Sequence, residues 1–295
     1  MAGTGKNQRP CNALLDRVTI TGTGSSTPPK EIPGFKMSRD FRPRLRGKIG
    51  TYERVRVFCS TSNSARLSLQ YKPLLPWLRP LRFTLVADDQ DGITPDQVEA
   101  VIAQCASHKL TMVELAFDFG RGSVVDRRFV LRHTKFGKSQ RRTDRGRGRN
   151  LRYGSRQAPK LVRAYDKDAV DSYRIELEVH SPLLRKYRIS TGFELGRLAW
   201  MLVPAHFQFV GFRWDKLRAY LAKKFGQQEG DNIFGEARQR ADSSLQAATR
   251  FLSECGVPNP HRFQSPLRLN LRLQKAIECW VKKFPVDDEL AVTTK

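Results

Sequence analysis

The sequence predicts an α+β protein: an antiparallel-rich sheet with packed helices, followed by a mainly helical C-terminal region. Three observations carry that expectation. Short segments between residues 53 and 180 alternate apolar and polar residues with the period of a half-buried strand. After Pro182 the apolar spacing becomes helical. A hydrophobic content of 39%, with 17 Phe, is enough to build a core around both.

Taken in order, residues 1–50 hold Gly, Ser, Thr, Pro and basic side chains with little periodicity, and read as an irregular basic arm. ERVRVFCS (53–60), ARLSLQY (65–71) and PLRFTLVA (80–87) read as strands, with Pro73, Pro76 and Pro80 punctuating the last connection. Thr94 should cap a helix, with Pro95 at the first helical position and Gln97 completing a capping box. Val98, Val101, Ile102 and Cys105 give that helix one apolar face. TMVELAFDFG (111–120), RRFVLRHT (127–134), LRYGS (151–155), KLVRAYDK (160–167) and YRIELEVH (173–180) follow as strands. FELGRLAWML (193–202), WDKLRAYLAKKF (214–225), GEARQRADSSLQAATRFLSEC (235–255) and LRLNLRLQKAIECWVKKF (267–284) show helical spacing. The last of these places Leu267, Leu271, Ile277 and Trp280 near one face. The expected organisation is a basic arm over 1–50, a β-rich unit over 51–190 and a helical region over 191–290.

The chain carries 53 Lys+Arg against 29 Asp+Glu, a net charge of +24, which calls for a polyanionic partner. The excess is concentrated: residues 121–163 hold 15 basic and 2 acidic side chains. Its peak, residues 138–152, contains Arg141, Arg142, Arg145, Arg147, Arg149 and Arg152 and has no apolar periodicity. Such an Arg- and Gly-rich loop suits closure on a phosphate backbone. No run of about 18 apolar residues exists, so no spanning helix is expected. The N-terminal residues lack the apolar run of a secretory signal. The five cysteines form no C-x-x-C pair, which argues for free thiols in a reducing compartment, the cytoplasm, and against a zinc ribbon.

Strand periodicity puts Glu114 and Asp118 on one face of their segment, and Arg174, Glu176, Glu178 and His180 on one face of theirs. Carboxylates gathered inside a basic surface suit a hard divalent cation beside a phosphate ester. The competing reading is that some of them only pair with arginine. Tyr153 and Tyr165 lie just beyond the basic peak. A tyrosine phenol can attack phosphorus and hold it as a covalent ester, given cations to stabilise the phosphoryl oxygens. Arg156, Arg163 and Lys167 stand nearby in sequence to supply them.

The order of these segments resembles the rolling-circle replication initiation factors of plasmids and phages, the Rep-trans family. The resemblance runs through the acidic strand ELAFDF, then Tyr153-Gly154-Ser155-Arg156, Arg163-Ala164-Tyr165-Asp166-Lys167 and Arg174-Ile175-Glu176. It covers about residues 53–190. Tyr153 directly precedes Gly154, without the family's intervening residue, and V-E-L stands where many members have R-I-D, so Glu114 replaces an Asp. The resemblance implies a nicking-initiator-like fold and a metal-dependent tyrosine DNA nickase and strand transferase. Such an enzyme cuts one strand at a replication origin, stays joined to the 5′ phosphate and later rejoins the strand. It further implies Tyr165 as first-choice nucleophile and Tyr153 as second. Glu114, Asp118 and Glu176 become ligands to Mg²⁺ or Mn²⁺, and Lys167, Arg163 and Arg174 steady the phosphate. The partner is origin DNA, single-stranded or in a hairpin. Host replication proteins and a second copy of the chain are further candidates, and no membrane is implied.

Two rival readings use the same charge without catalysis: a basic DNA- or RNA-binding protein whose acids are salt-bridge partners, and an RNA binder of ribosomal type. Other chemistries are excluded by spacing. The five histidines (108, 133, 180, 206, 261) never fall two apart, unlike nickases that bind metal through His-apolar-His. Asp118-Phe119-Gly120 lacks kinase companions, and Arg132 stands where a phosphate loop ending in Gly137-Lys138-Ser139 needs glycine. For the helical region, core packing with a solvated basic rim competes with a DNA-contacting or dimerising role.

Overall fold

The computed structural model describes residues 11–24, 28–43, 51–87, 91–120, 125–126, 129–130, 134–136, 151–154, 158–167 and 172–282. Its centre is a nine-stranded sheet. The strands are β1 (Cys11–Thr23), β2 (Phe35–Phe41), β3 (Tyr52–Ser60), β4 (Arg66–Pro73), β5 (Leu81–Val86), β6 (Ser107–Gly120), β8 (Leu151–Tyr153), β9 (Lys160–Lys167) and β10 (Ser172–His180). Their order is β2-β3-β4-β5-β1-β6-β10-β9-β8. Every neighbouring pair is antiparallel. Helix α1 (Pro95–Ile102) crosses from β5 to β6 with β1 between them. The capping box at Thr94 is present: the Gln97 backbone N–H donates to Thr94 Oγ1 at 3.3 Å, and the Thr94 backbone N–H donates to Gln97 Oε1 at 3.0 Å.

The sequence reading and the sheet differ most at the N-terminus. Residues 11–23, expected to belong to an irregular arm, form the central strand, and β2 forms an edge. The reason is local. Leu15 pairs with Leu115 and Arg17 with Glu114, so Asp16 is an extra residue in a β-bulge. A bulge breaks the period of 2, and the run Leu14-Leu15-Asp16 then reads as irregular. In 127–134 the described residues 129–130 are helical, and the short strand β7 (Thr134–Phe136) begins only at Thr134.

The C-terminal part contains α2 (Ser181–Lys186), α3 (Leu195–His206), β11 (Phe207–Phe212), α4 (Trp214–Phe225), α5 (Gln227–Ser243), α6 (Leu245–Glu254), β12 (Gln264–Pro266) and α7 (Leu269–Val281). The segment 235–255, expected as one helix, breaks at Ser244, whose hydroxyl caps α6 by accepting from Ala247 N–H. Helix α7 buries Leu269, Leu273, Ala276, Ile277 and Trp280, while Leu271 is 59% exposed. The expected apolar face was therefore wrong at Leu271.

One face of the sheet carries the main core. Leu15, Val18, Phe83, Leu115, Phe117, Ile175 and Leu177 join Val98 and Val101 of α1, Leu184 of α2, Leu198 of α3, and Leu273 and Trp280 of α7. A second core gathers α4, α5 and α6 around Leu217, Ile233 and Leu252. Strand β11 serves both cores, Phe209 entering the first and Val210 and Phe212 the second. The other face of the large sheet carries Glu114, Asp118, Arg163, Tyr165, Arg174 and Glu176. Among the described residues, no helix is long and apolar enough to cross a membrane, and all five cysteines are free.

Candidate active site

Register brings the polar side chains together. Arg174 on β10 pairs across to Asp118 on β6 and to Tyr165 on β9. Glu176 pairs with Ala116 and Arg163, and Glu178 with Glu114. Arg152 on β8 pairs with Arg163 and so shares this face. The bulge adds Asp16 from β1. Asp16, Glu114 and Glu176 offer carboxylate oxygens that all lie within 4.8 Å of one another. All three are buried. They border a pocket of about 240 Å³ whose wall also includes Arg17, Arg163, Tyr165 and Lys167. A larger pocket, about 510 Å³, lies between α5 and α6, where Arg240, Gln246, Arg250 and Glu254 are ordinary exposed side chains. The smaller one gathers the buried acids.

The acids divide into two groups. Arg174 is fully buried and forks onto Asp118, Nε to Oδ1 and Nη2 to Oδ2, each at 2.7 Å. Its Nη1 donates to Asp16 Oδ1 at 2.6 Å. Both Asp118 oxygens are thus engaged, and Asp118 stands outside the carboxylate cluster. Asp118, expected as a metal ligand, is held by Arg174 outside the cluster, and Asp16, which sequence reading did not single out, lies in it with Glu114 and Glu176. Arg174 likewise braces two acids and is no free phosphate contact. Burial disfavours its charge, but the Asp118 hydrogen bonds and charge and the Asp16 charge outweigh that, so its pKa is raised.

Glu114 and Glu176 are less satisfied. Arg163 donates through Nη2 to Glu114 Oε1. Its Nε lies 2.9 Å from Glu176 Oε2, off the hydrogen-bond direction. Tyr165 donates its hydroxyl proton to Glu176 Oε1. Glu114 Oε2 and Glu176 Oε2 are buried and accept no hydrogen bond. Arg17 Nη1 lies 3.7 Å from Glu114 Oε2, so each of these oxygens has a cation nearby without a hydrogen bond from it, and such incompletely satisfied carboxylates are suited to a divalent cation. The donor set, all oxygen, fits Mg²⁺ or Mn²⁺, with Asp16, Glu114 and Glu176 as the residues that would hold it. Glu178 pairs instead with His180 at 2.9 Å and with Arg163 at 3.6 Å.

Burial, then the Glu114 charge, pushes the Glu176 carboxyl up to about 7 against the opposing pull of Arg163 and Tyr165. Burial raises Asp16 as well, beyond what Arg174 draws back. Burial and the adjoining Glu176 charge push the Tyr165 phenol well above its usual range. Without metal, the folded protein therefore keeps a proton on Glu176 that the unfolded chain has released above its ordinary value of 4.5. Stability is expected to fall as pH rises from about 4.5 to about 7, by on the order of 3 kcal/mol. Glu176→Gln should remove that decline, and a saturating divalent ion should flatten it by displacing the proton. Urea midpoints of both proteins across this range test it; parallel profiles would reject the assignment.

The two tyrosines separate cleanly. Tyr165 points into the pocket. Tyr153 pairs with Val162 on the opposite face and is buried in the main core, so it does not join the acids. Gly154 follows it at φ +102°, where a Cβ would meet the Lys160 carbonyl oxygen at 3.0 Å, which explains the glycine of Y-G-S-R. Ser155 and Arg156 lie outside the described residues, as do Arg141, Arg142, Arg145, Arg147 and Arg149 of the basic peak. No protein-family profile matches the chain, and no curated protein does.

Proposed function

We propose that the protein is a metal-dependent DNA nicking and joining enzyme of rolling-circle replication, with Tyr165 as nucleophile. One observation carries this reading: the Tyr165 hydroxyl donates to Glu176 within a cluster of three buried carboxylates, inside a pocket walled by cations. A divalent ion held by Asp16, Glu114 and Glu176 would neutralise charge on the phosphoryl oxygens. Arg163 and Lys167 line the same pocket and add positive charge there. Glu176 is placed to take the phenol proton. The Tyr165 oxygen then bonds to phosphorus as the P–O3′ bond breaks, and the departing O3′ takes up a proton from solvent to become the 3′ hydroxyl, while Glu176 holds the phenol's proton. In the joining step a 3′ hydroxyl attacks the phosphotyrosine, and the phenol regains its proton. No water is consumed, so the ester energy is conserved.

The raised phenol pKa has a use in this scheme. In the resting pocket the nucleophile stays protonated, and only added positive charge favours the phenolate. The salt-bridge reading of the acids has its strongest support at Asp118, both of whose oxygens Arg174 engages, and Asp16, Glu114 and Glu176 also have arginine partners. Wild-type protein with Mg²⁺ or Mn²⁺ should relax supercoiled DNA carrying its origin and leave a covalent 5′ adduct. Peptide mapping should place the adduct on Tyr165. Cleavage without an adduct, or an adduct on another side chain, would overturn the reading.

A further inference from the structure

The pocket adjoins the β1–β5 part of the sheet. Its wall includes Arg17, Val86 and Ala87, which lead from β1 onto β5. From there the register defines an unbroken row on the polar face. Glu114 pairs with Arg17, Arg17 with Val86, Val86 with Arg66, Arg66 with Cys59, and Cys59 with Lys36. At about 4.8 Å between strands, this row spans roughly 24 Å from the acid cluster to the β2 edge. A parallel row runs Thr19, Thr84, Ser68, Val57, Arg39, and a third runs Arg82, Gln70, Val55, Phe41.

Basic side chains predominate among the charged residues described on this surface, and Arg17 lies 3.7 Å from Glu114 Oε2 at its pocket end. Arg17, Lys36, Arg39, Arg66 and Arg82 project from the surface. On the described strands β2 to β5, the acid that shares the face is Glu53, and Arg42 pairs with it. Asp40 of β2 turns to the opposite face, where Arg54, Arg56 and Tyr71 bind it. Between the cations lie half-buried Val55 and Val57 and the 42%-exposed Phe41. Among the described residues, the helices that pack on the sheet do so through the core on its other face.

We infer that this face is a track for single-stranded DNA, leading across β2, β3, β4 and β5 into the acid pocket. Cations tracking a backbone, interleaved with apolar surface for splayed bases, are the pattern of single-strand binding. A duplex keeps its bases inside and would leave Val55, Val57 and Phe41 without a partner. Sheet extension by a second copy is disfavoured, because β2 carries a bulge between Met37 and Arg39 and like charges at Lys36 and Arg39. The direction of travel toward the pocket rests on the nicking reading; the binding itself does not.

Cys59 lies in the row that reaches the pocket, and it is exposed. Cys279 is also exposed, on α7, which packs on the opposite face. The full chain, with divalent metal chelated, is treated with a maleimide with and without a saturating oligothymidylate, and each cysteine is read by peptide mass spectrometry. The oligonucleotide should slow Cys59 alkylation about tenfold or more, leave Cys279 unchanged, and lose its effect at high salt. Arg66→Glu combined with Arg82→Glu should weaken binding and lower the salt slope by about 0.7 for each lost phosphate contact. Unchanged Cys59 reactivity under saturation would overturn the track. So would equal protection by a duplex, or protection by RNA alone. The two proposals separate in outcome. An adduct on Tyr165 with no protection of Cys59 removes the track and keeps the nicking reading. Protection of Cys59 with no adduct in any divalent metal does the reverse.

Discussion

Tyr165→Phe is expected to abolish the covalent DNA adduct and to lower cleavage on the order of 10⁴-fold or more. The substitution removes one oxygen and keeps the ring, so the strand pairing of β9 with β10 should survive. Its effect on the pocket is nonetheless specific. The Tyr165 hydroxyl is a donor to Glu176 Oε1 and holds that carboxyl down. Without it the Glu176 pKa should rise further, and the metal-free protein should lose stability with pH over a window that extends higher. A shift of that window together with loss of the adduct separates a chemical role from misfolding. Tyr153→Phe is the matched control: its ring sits in the core on the far face, and the adduct should persist. Adduct formation by Tyr165→Phe at wild-type level would sink the assignment. Loss in both variants would point to damage of the shared β8–β9 pairing.

Parts of this site were readable from sequence because they depend on local rules. Period 2 placed Arg174, Glu176 and Glu178 on one face, and register then set them against Glu114 and Asp118. The capping box at Thr94 needs only residues three apart. What escaped is non-local. Asp16 enters the cluster through a bulge whose existence depends on how β1 pairs with β6. That same bulge disguised the central strand as an irregular arm. Choosing between Asp118 and Asp16 as cluster member required knowing where the Arg174 fork lands, 56 and 158 residues away in sequence. Choosing between tyrosines required the phase of β8, a three-residue strand too short to show a period. Tyr153 and Tyr165 have similar sequence neighbourhoods and opposite faces.

Arg174 should prove the residue on which the fold depends most. It is fully buried and supplies the cation that faces Asp118 and Asp16. Arg174→Met removes the charge and leaves two buried carboxylates beside Glu176 and Glu114. Breaking a buried ion pair from one side typically costs about 3–5 kcal/mol. The loss at pH 7 is expected in that range. Lowering the pH should relieve part of it, because a carboxylate left without its cation sheds its charge by taking a proton. Urea denaturation at pH 5 and pH 7 checks both statements; a loss under about 1 kcal/mol at pH 7 would contradict the bracing role. The same logic separates the two aspartates. Asp118→Asn should destabilise the fold yet leave Mn²⁺ binding nearly intact, since Asp118 lies outside the cluster. Asp16→Asn should weaken Mn²⁺ binding about tenfold or more, because it removes one of three charged ligands. If instead Asp118→Asn is the variant that loses Mn²⁺, the cluster is wrongly drawn and Arg174 must release Asp118 when the ion binds.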